Sequence, residues 1–261
     1  MLTRRAAATA AGGRIRSRAR PAARRYLVAS CFLAGFVAAA VAGTVVPPHA
    51  WSAVAAWAST SVANMEHHPA GSLLASAFVT EGSEYAWPAL IALAMFGANR
   101  ALGNVRTVVV CAAGQVIGTL VSEGIVAYRV DQADLPVSSR HLLDIGPSYV
   151  VVAAIVAALI AGSWPARAAA ALDFALLVFA GHIFSGLGDL DVAAVGHLTA
   201  LVTAVCAVVL MRAGRLRWPW AVWRPGSAPR PGLARRPGSG RDRADQGADP
   251  VGDGGGQRGQ Q

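Results

Sequence analysis

The stretch VAAVGHLTALVTAVCAVVLM, Val192–Met211, decides the fold class. Its twenty residues hold no Asp, Glu, Lys or Arg, and about 20 apolar residues are what a helix needs to cross the hydrocarbon core of a bilayer. One imidazole, His197, lies one to two turns from its start. A polar, ionisable group inside a membrane span is a functional candidate by default, because placing it there is costly.

Working outward, comparable runs stand at Tyr26–Val46, Tyr85–Ala98, Val108–Tyr128, Tyr149–Ser163 and Ala168–Phe184. Pro88 interrupts the second of these, and the fourth is short. The whole chain is 54% hydrophobic and 14% charged, well below the roughly 25% charge of a soluble domain. The run at Tyr26–Val46 is too long for the core of a secretory signal and reads as the first of six spans.

Every basic residue is arginine. Eight of the 23 lie in residues 1–25 and ten follow position 211. These ends read as a basic N-terminal tail, residues 1–25, and a disordered basic C-terminal tail, residues 212–261, around a membrane domain at 26–211. Trp218, Trp220 and Trp223 are placed to rest at the interface. No nucleic-acid-binding motif accompanies the arginines, so anionic lipid or topology control explains them and no nucleic-acid partner is expected. Arg25, Arg100, Arg106, Arg167 and Arg212 flank alternate connections. The intervening loops carry Glu66, Glu81 and Glu84, or Asp189 and Asp191, without arginine. The loop with Arg129 and Arg140 beside Asp131 and Asp134 is mixed. The positive-inside rule therefore gives six spans in the plasma membrane with both termini cytoplasmic. The long first external loop, about residues 47–82, should carry short interfacial helices. Cys31, Cys111 and Cys206 lie in apolar runs and read as small buried hydrophobes.

Two segments concentrate the chemistry. Asp144-Ile145-Gly146-Pro147-Ser148-Tyr149 opens the fourth span. Proline suits a first helical turn, and the free N–H groups there favour developing negative charge. Ser148 is thus placed as a nucleophile, with Gly146, Tyr149 and Asp144 in support; a serine or aspartate at a helix start also serves as a cap. In the sixth span, Gly196-His197-Leu198-Thr199-Ala200 puts His197 at a depth comparable to Ser148, since helices 4 and 6 run the same way. Gly196, Ala200 and Ala204 form a small-residue stripe for close helix approach. His182 is expected at the same external level. The six histidines lack a fixed ligand spacing, so no metal is implied.

Together these segments resemble the rhomboid superfamily of intramembrane serine proteases. Its Gly-x-Ser-Gly motif corresponds to Gly146-Pro147-Ser148-Tyr149, and its Ala-His-x-x-Gly-x-x-x-Gly motif to Gly196-His197-x-x-Ala200-x-x-x-Ala204. The segment Leu73–Phe78 is similar to the loop preceding span 2, and Leu120–Gly124 to a stretch of actinobacterial rhomboid-like membrane proteins. The resemblance covers roughly residues 26–211. It implies an all-α, six-helix membrane bundle with a structured first external loop, and a Ser148–His197 dyad without cofactor. Transmembrane proteins would be its substrates or, for an inactive relative, its binding partners. The family's span-2 His-x-x-x-Asn pattern is missing from Glu84–Ala89, Tyr149 replaces a glycine, and Val152 stands where the family has tyrosine.

Overall fold

The computed structural model describes residues 24–80 and 85–214. Most of both basic tails, Glu81 and Glu84, and the three tryptophans after position 217 lie outside these residues. Every regular element among the described residues is helical. Helix α1 (Leu27–Val45) is followed by three short helices, α2 (Pro48–Ala58), α3 (Val62–His67) and α4 (Pro69–Ala75). Then come α5 (Trp87–Leu102), α6 (Asn104–Asp131), α7 (Ser148–Ala161), α8 (Trp164–Phe179) and α9 (Val192–Arg212). Three of them, α1, α6 and α9, are long and apolar enough to cross a membrane, and α7 is a shorter apolar helix.

Proline starts several of these helices. Pro48, Pro69, Pro88 and Pro165 each occupy a first-turn position, where the missing N–H costs nothing. Pro88 therefore opens α5 instead of interrupting it. Likewise α8 begins at Trp164, and it ends at Phe179, short of the sequence-predicted Phe184.

Helix α7 is the centre of the bundle. All ten residues from Tyr149 to Ala158 are buried, as expected for a helix apolar all round. It packs against α5, α6, α8 and α9. Small residues permit the close approach. A Cβ on Gly114 of α6 would stand 2.7 Å from Ala153 Cβ, and one on Gly97 of α5 would stand 3.2 Å from Ala158 Cβ. Cys111 is buried, whereas Cys31 and Cys206 are exposed on α1 and α9, so only one of the three fills the core.

Hydrogen bonds tie the helix ends into two levels. At one level, Asn99 Nδ2 donates to Arg25 O, and Asn104 Nδ2 donates to Arg24 O. At the same level Arg167 and Arg212 both donate to Ile160 O. At the other, Arg140 pairs with Glu66 and, at 3.6 Å, with Asp131. Arg129 donates to Asp189 O at 3.0 Å. The two arginines that blur the charge pattern are thus occupied locally. In the segment between α1 and α5, Ala55, Ala58 and Val79 form a small apolar cluster against Trp51, Ala75 and Ile145.

Candidate functional site

The entry to α7 is built by the segment between α1 and α5. Thr60 N–H donates to Asp144 O at 2.9 Å, and Asp144 N–H donates to Ser59 Oγ at 3.0 Å. Gly146 N–H donates to Ser76 O at 2.8 Å. Gly146 adopts φ +123°, a conformation side chains rarely take, so glycine is required here. Pro147 is the N-cap, and Ser148 is the first helical residue.

No side chain caps α7. The N–H groups of Ser148, Tyr149 and Val150 find no hydrogen-bond acceptor among the described residues. Three adjacent free donors at a helix start form a natural seat for a negatively charged oxygen. Asp144, expected as a cap for this helix, does something else. Its Oδ2 accepts from Thr60 Oγ1 at 3.0 Å and from Tyr149 Oη at 3.1 Å. Burial raises its pKa above the ordinary aspartate value and the Asp191 charge adds to this, while the bonds from Thr60 and Tyr149 act in the opposite direction.

His197 sits in the second turn of α9 and is 5% exposed. Its Nδ1 meets Ile183 O at 2.8 Å. A carbonyl only accepts, so Nδ1 carries the proton and Nε2 of the neutral ring presents a lone pair. Nε2 is buried and has no partner. In the resting structure Ser148 is therefore not hydrogen-bonded to His197. Tyr149 packs against the imidazole, edge-on, with ring centroids 5.1 Å apart.

The remaining sequence-predicted residues are distributed around this pair. Gly196 O would lie 3.1 Å from a Cβ on Gly118, and Ala200 Cβ 3.5 Å from it, so the stripe on α9 faces α6. Ala200 and Ala204 are fully buried. Gly196 also faces Tyr149: a Cβ here would fall 2.1 Å from the phenol oxygen. His182 is exposed, beyond the end of α8, at φ +49°. It lies in the turn whose next residue, Ile183, supplies the carbonyl to His197. Asp191 caps α9, accepting from Ala194 N–H at 3.1 Å.

Sequence reasoning missed several members of this region. Ile183 acts through its main chain and leaves no trace in residue type. Ser59, Thr60 and Ser76 are ordinary loop residues by sequence. On α6, Gln115 and Thr119 recur at helical spacing with Glu123, the one carboxylate of the three that sequence already marks as a candidate, and each holds a buried oxygen without a partner. Their polarity inside an apolar run was the available signal. No group of three or more His, Cys, Asp or Glu side chains able to hold a metal occurs among the described residues.

The sequence model of the family described as "Rhomboid-like protein" matches residues 21–216. No curated protein and no solved structure matches the chain.

Proposed function

Because this chain belongs to the rhomboid-like protein family, we propose that it is an intramembrane serine peptidase with Ser148 as nucleophile and His197 as base. Ser148 Oγ attacks a substrate peptide carbonyl carbon while its proton passes to His197 Nε2. The developing oxyanion is held by the free N–H groups at the start of α7. Collapse breaks the C–N bond as Nε2 returns the proton to the leaving amine, and water releases the acyl group by the same route. The observation that carries the reading is the His197 tautomer: Ile183 O takes Nδ1 and leaves a buried, unpartnered Nε2.

On this reading the domain at 26–211 crosses the plasma membrane six times, with α5 and α8 completing the set. Both termini and the arginine-rich level are cytoplasmic. Helix α7, about 21 Å long, is shorter than the roughly 30 Å hydrocarbon core, which sets Ser148 below the external boundary. The substrate is a transmembrane segment unwound near that face. No cofactor is needed for these steps.

A second reading, an inactive family member that binds transmembrane segments of partners, draws on one observation. Tyr149 packs against His197, and Ser148 makes no hydrogen bond to it. A fluorophosphonate probe applied to the full chain in lipid bilayers separates the two. Covalent labelling that is lost in Ser148→Ala and in His197→Gln supports the peptidase. Wild-type protein that captures transmembrane peptides without labelling supports the binder.

A further inference from the structure

Tyr149 is the side chain that connects His197 to the segment entering α7. Its ring meets the imidazole at 79° between planes. Its hydroxyl donates to Asp144 Oδ2 at 3.1 Å and approaches Val192 O at 3.4 Å. The outer end of the ring occupies the space that a Gly196 side chain would fill. Asp144 is fixed in turn by Ser59 and Thr60. A continuous line of contacts therefore runs from Thr60 through Asp144 and Tyr149 to His197.

The bond from Nδ1 to Ile183 O leaves the imidazole free to tilt about that axis. A ring edge held from a second direction removes this freedom. We propose that Tyr149 is the positioning residue of His197, and that Asp144 acts on the imidazole only through the Tyr149 phenol. The role in turnover rests on His197 being a base, but the effect on the imidazole does not require turnover. It also assigns Gly196 a specific task beyond helix approach: it clears the path along which the phenol reaches Asp144.

The test uses the full chain, labelled with ¹⁵N-histidine, in lipid nanodiscs. The His197 signals are identified by their loss in His197→Gln. Wild type shows one tautomer, protonated at Nδ1. Tyr149→Leu leaves the proton on Nδ1, where Ile183 O holds it, but broadens the His197 signals as the ring tilts, and lowers fluorophosphonate labelling by up to about tenfold, the scale of one edge-to-face aromatic pair. Tyr149→Phe keeps the ring edge, broadens the His197 signals less than Tyr149→Leu does and rescues most of the labelling. Asp144→Asn broadens the His197 signals on its own but adds nothing in the Tyr149→Phe background. The proposal is overturned if Tyr149→Leu leaves the His197 signals as sharp as in wild type, or if Asp144→Asn acts equally with and without the phenol. Absence of wild-type labelling, with Tyr149→Leu still broadening the His197 signals, would remove the peptidase reading and leave the positioning role standing.

Discussion

The two ends of the helix bundle treat buried polar groups in opposite ways. At the arginine end, Asn99 and Asn104 form a closed set. Asn99 Oδ1 accepts from Ala29 N–H at 3.1 Å and Asn104 Oδ1 from Val28 N–H at 3.3 Å. Asn99 Nδ2 also donates to Asn104 Oδ1. Two amides on a neighbouring hairpin thus satisfy the start of α1, whose own N-cap supplies no side chain. At the histidine end, by contrast, His197 Nε2 and the oxygens of Glu123 and Thr119 are buried without partners. Burying a polar group without a hydrogen bond costs free energy, so the fold bears at one end a cost that it avoids at the other. The closed set is what a structural joint looks like. The open one has the form of a site whose missing partner arrives from outside.

Substitutions can break this contrast, and the largest effect is expected at Gly196. A methyl group there would press on the Tyr149 phenol. Gly196→Ala should cost about 3 kcal/mol, the upper range for overpacking, and abolish Ser148 labelling. Thermal unfolding in detergent with parallel labelling measures both. Next is Asn99, which is fully buried. Asn99→Ala strands the Ala29 N–H and should cost about 2 kcal/mol, yet leave labelling per folded molecule unchanged. A loss of labelling there would erase the distinction between the ends.

Asp144 sharpens the contrast through pH. Because burial raises its pKa, the folded chain retains the proton over a range where the unfolded chain has released it. The resulting stability is complete below the unfolded value, about 3.9, and is lost as pH rises through the folded value. Asp144→Asn should flatten that decline in unfolding midpoint between acid and neutral pH. The smallest effect belongs to Arg140, paired with the exposed Glu66 and Asp131. Arg140→Ala should change stability by less than about 1 kcal/mol, measured by the same unfolding experiment.

Much of the helical architecture was legible because its signals are local. Apolar runs separated by proline and glycine mark α1, α7 and α9 to within two residues and α6 to within four. Helix starts were less so, since a proline inside an apolar run can break a helix or begin one, and at Pro88 and Pro165 it begins one. The candidate site was legible as residue types and not as contacts. Ser148 and His197 stand out by sequence, but the choice of Tyr149 as the ring on His197 depends on three dimensions. Position 149 lies about 60° further round the helix than position 152, and roughly 4.5 Å nearer its start. From that place a ring reaches His197 only because Gly196 makes room. The Asn99–Arg25 bond spans 74 residues of chain and has no local signature at all.

The most direct measurement is an experimental structure of the full chain in a bilayer mimetic after reaction with a fluorophosphonate. The account predicts phosphorus bonded to Ser148 Oγ, a phosphonyl oxygen against the N–H groups opening α7, and His197 Nε2 within hydrogen-bond or single-water reach of the adduct. An unmodified Ser148, or an imidazole too far from it to be bridged by one water, would contradict it.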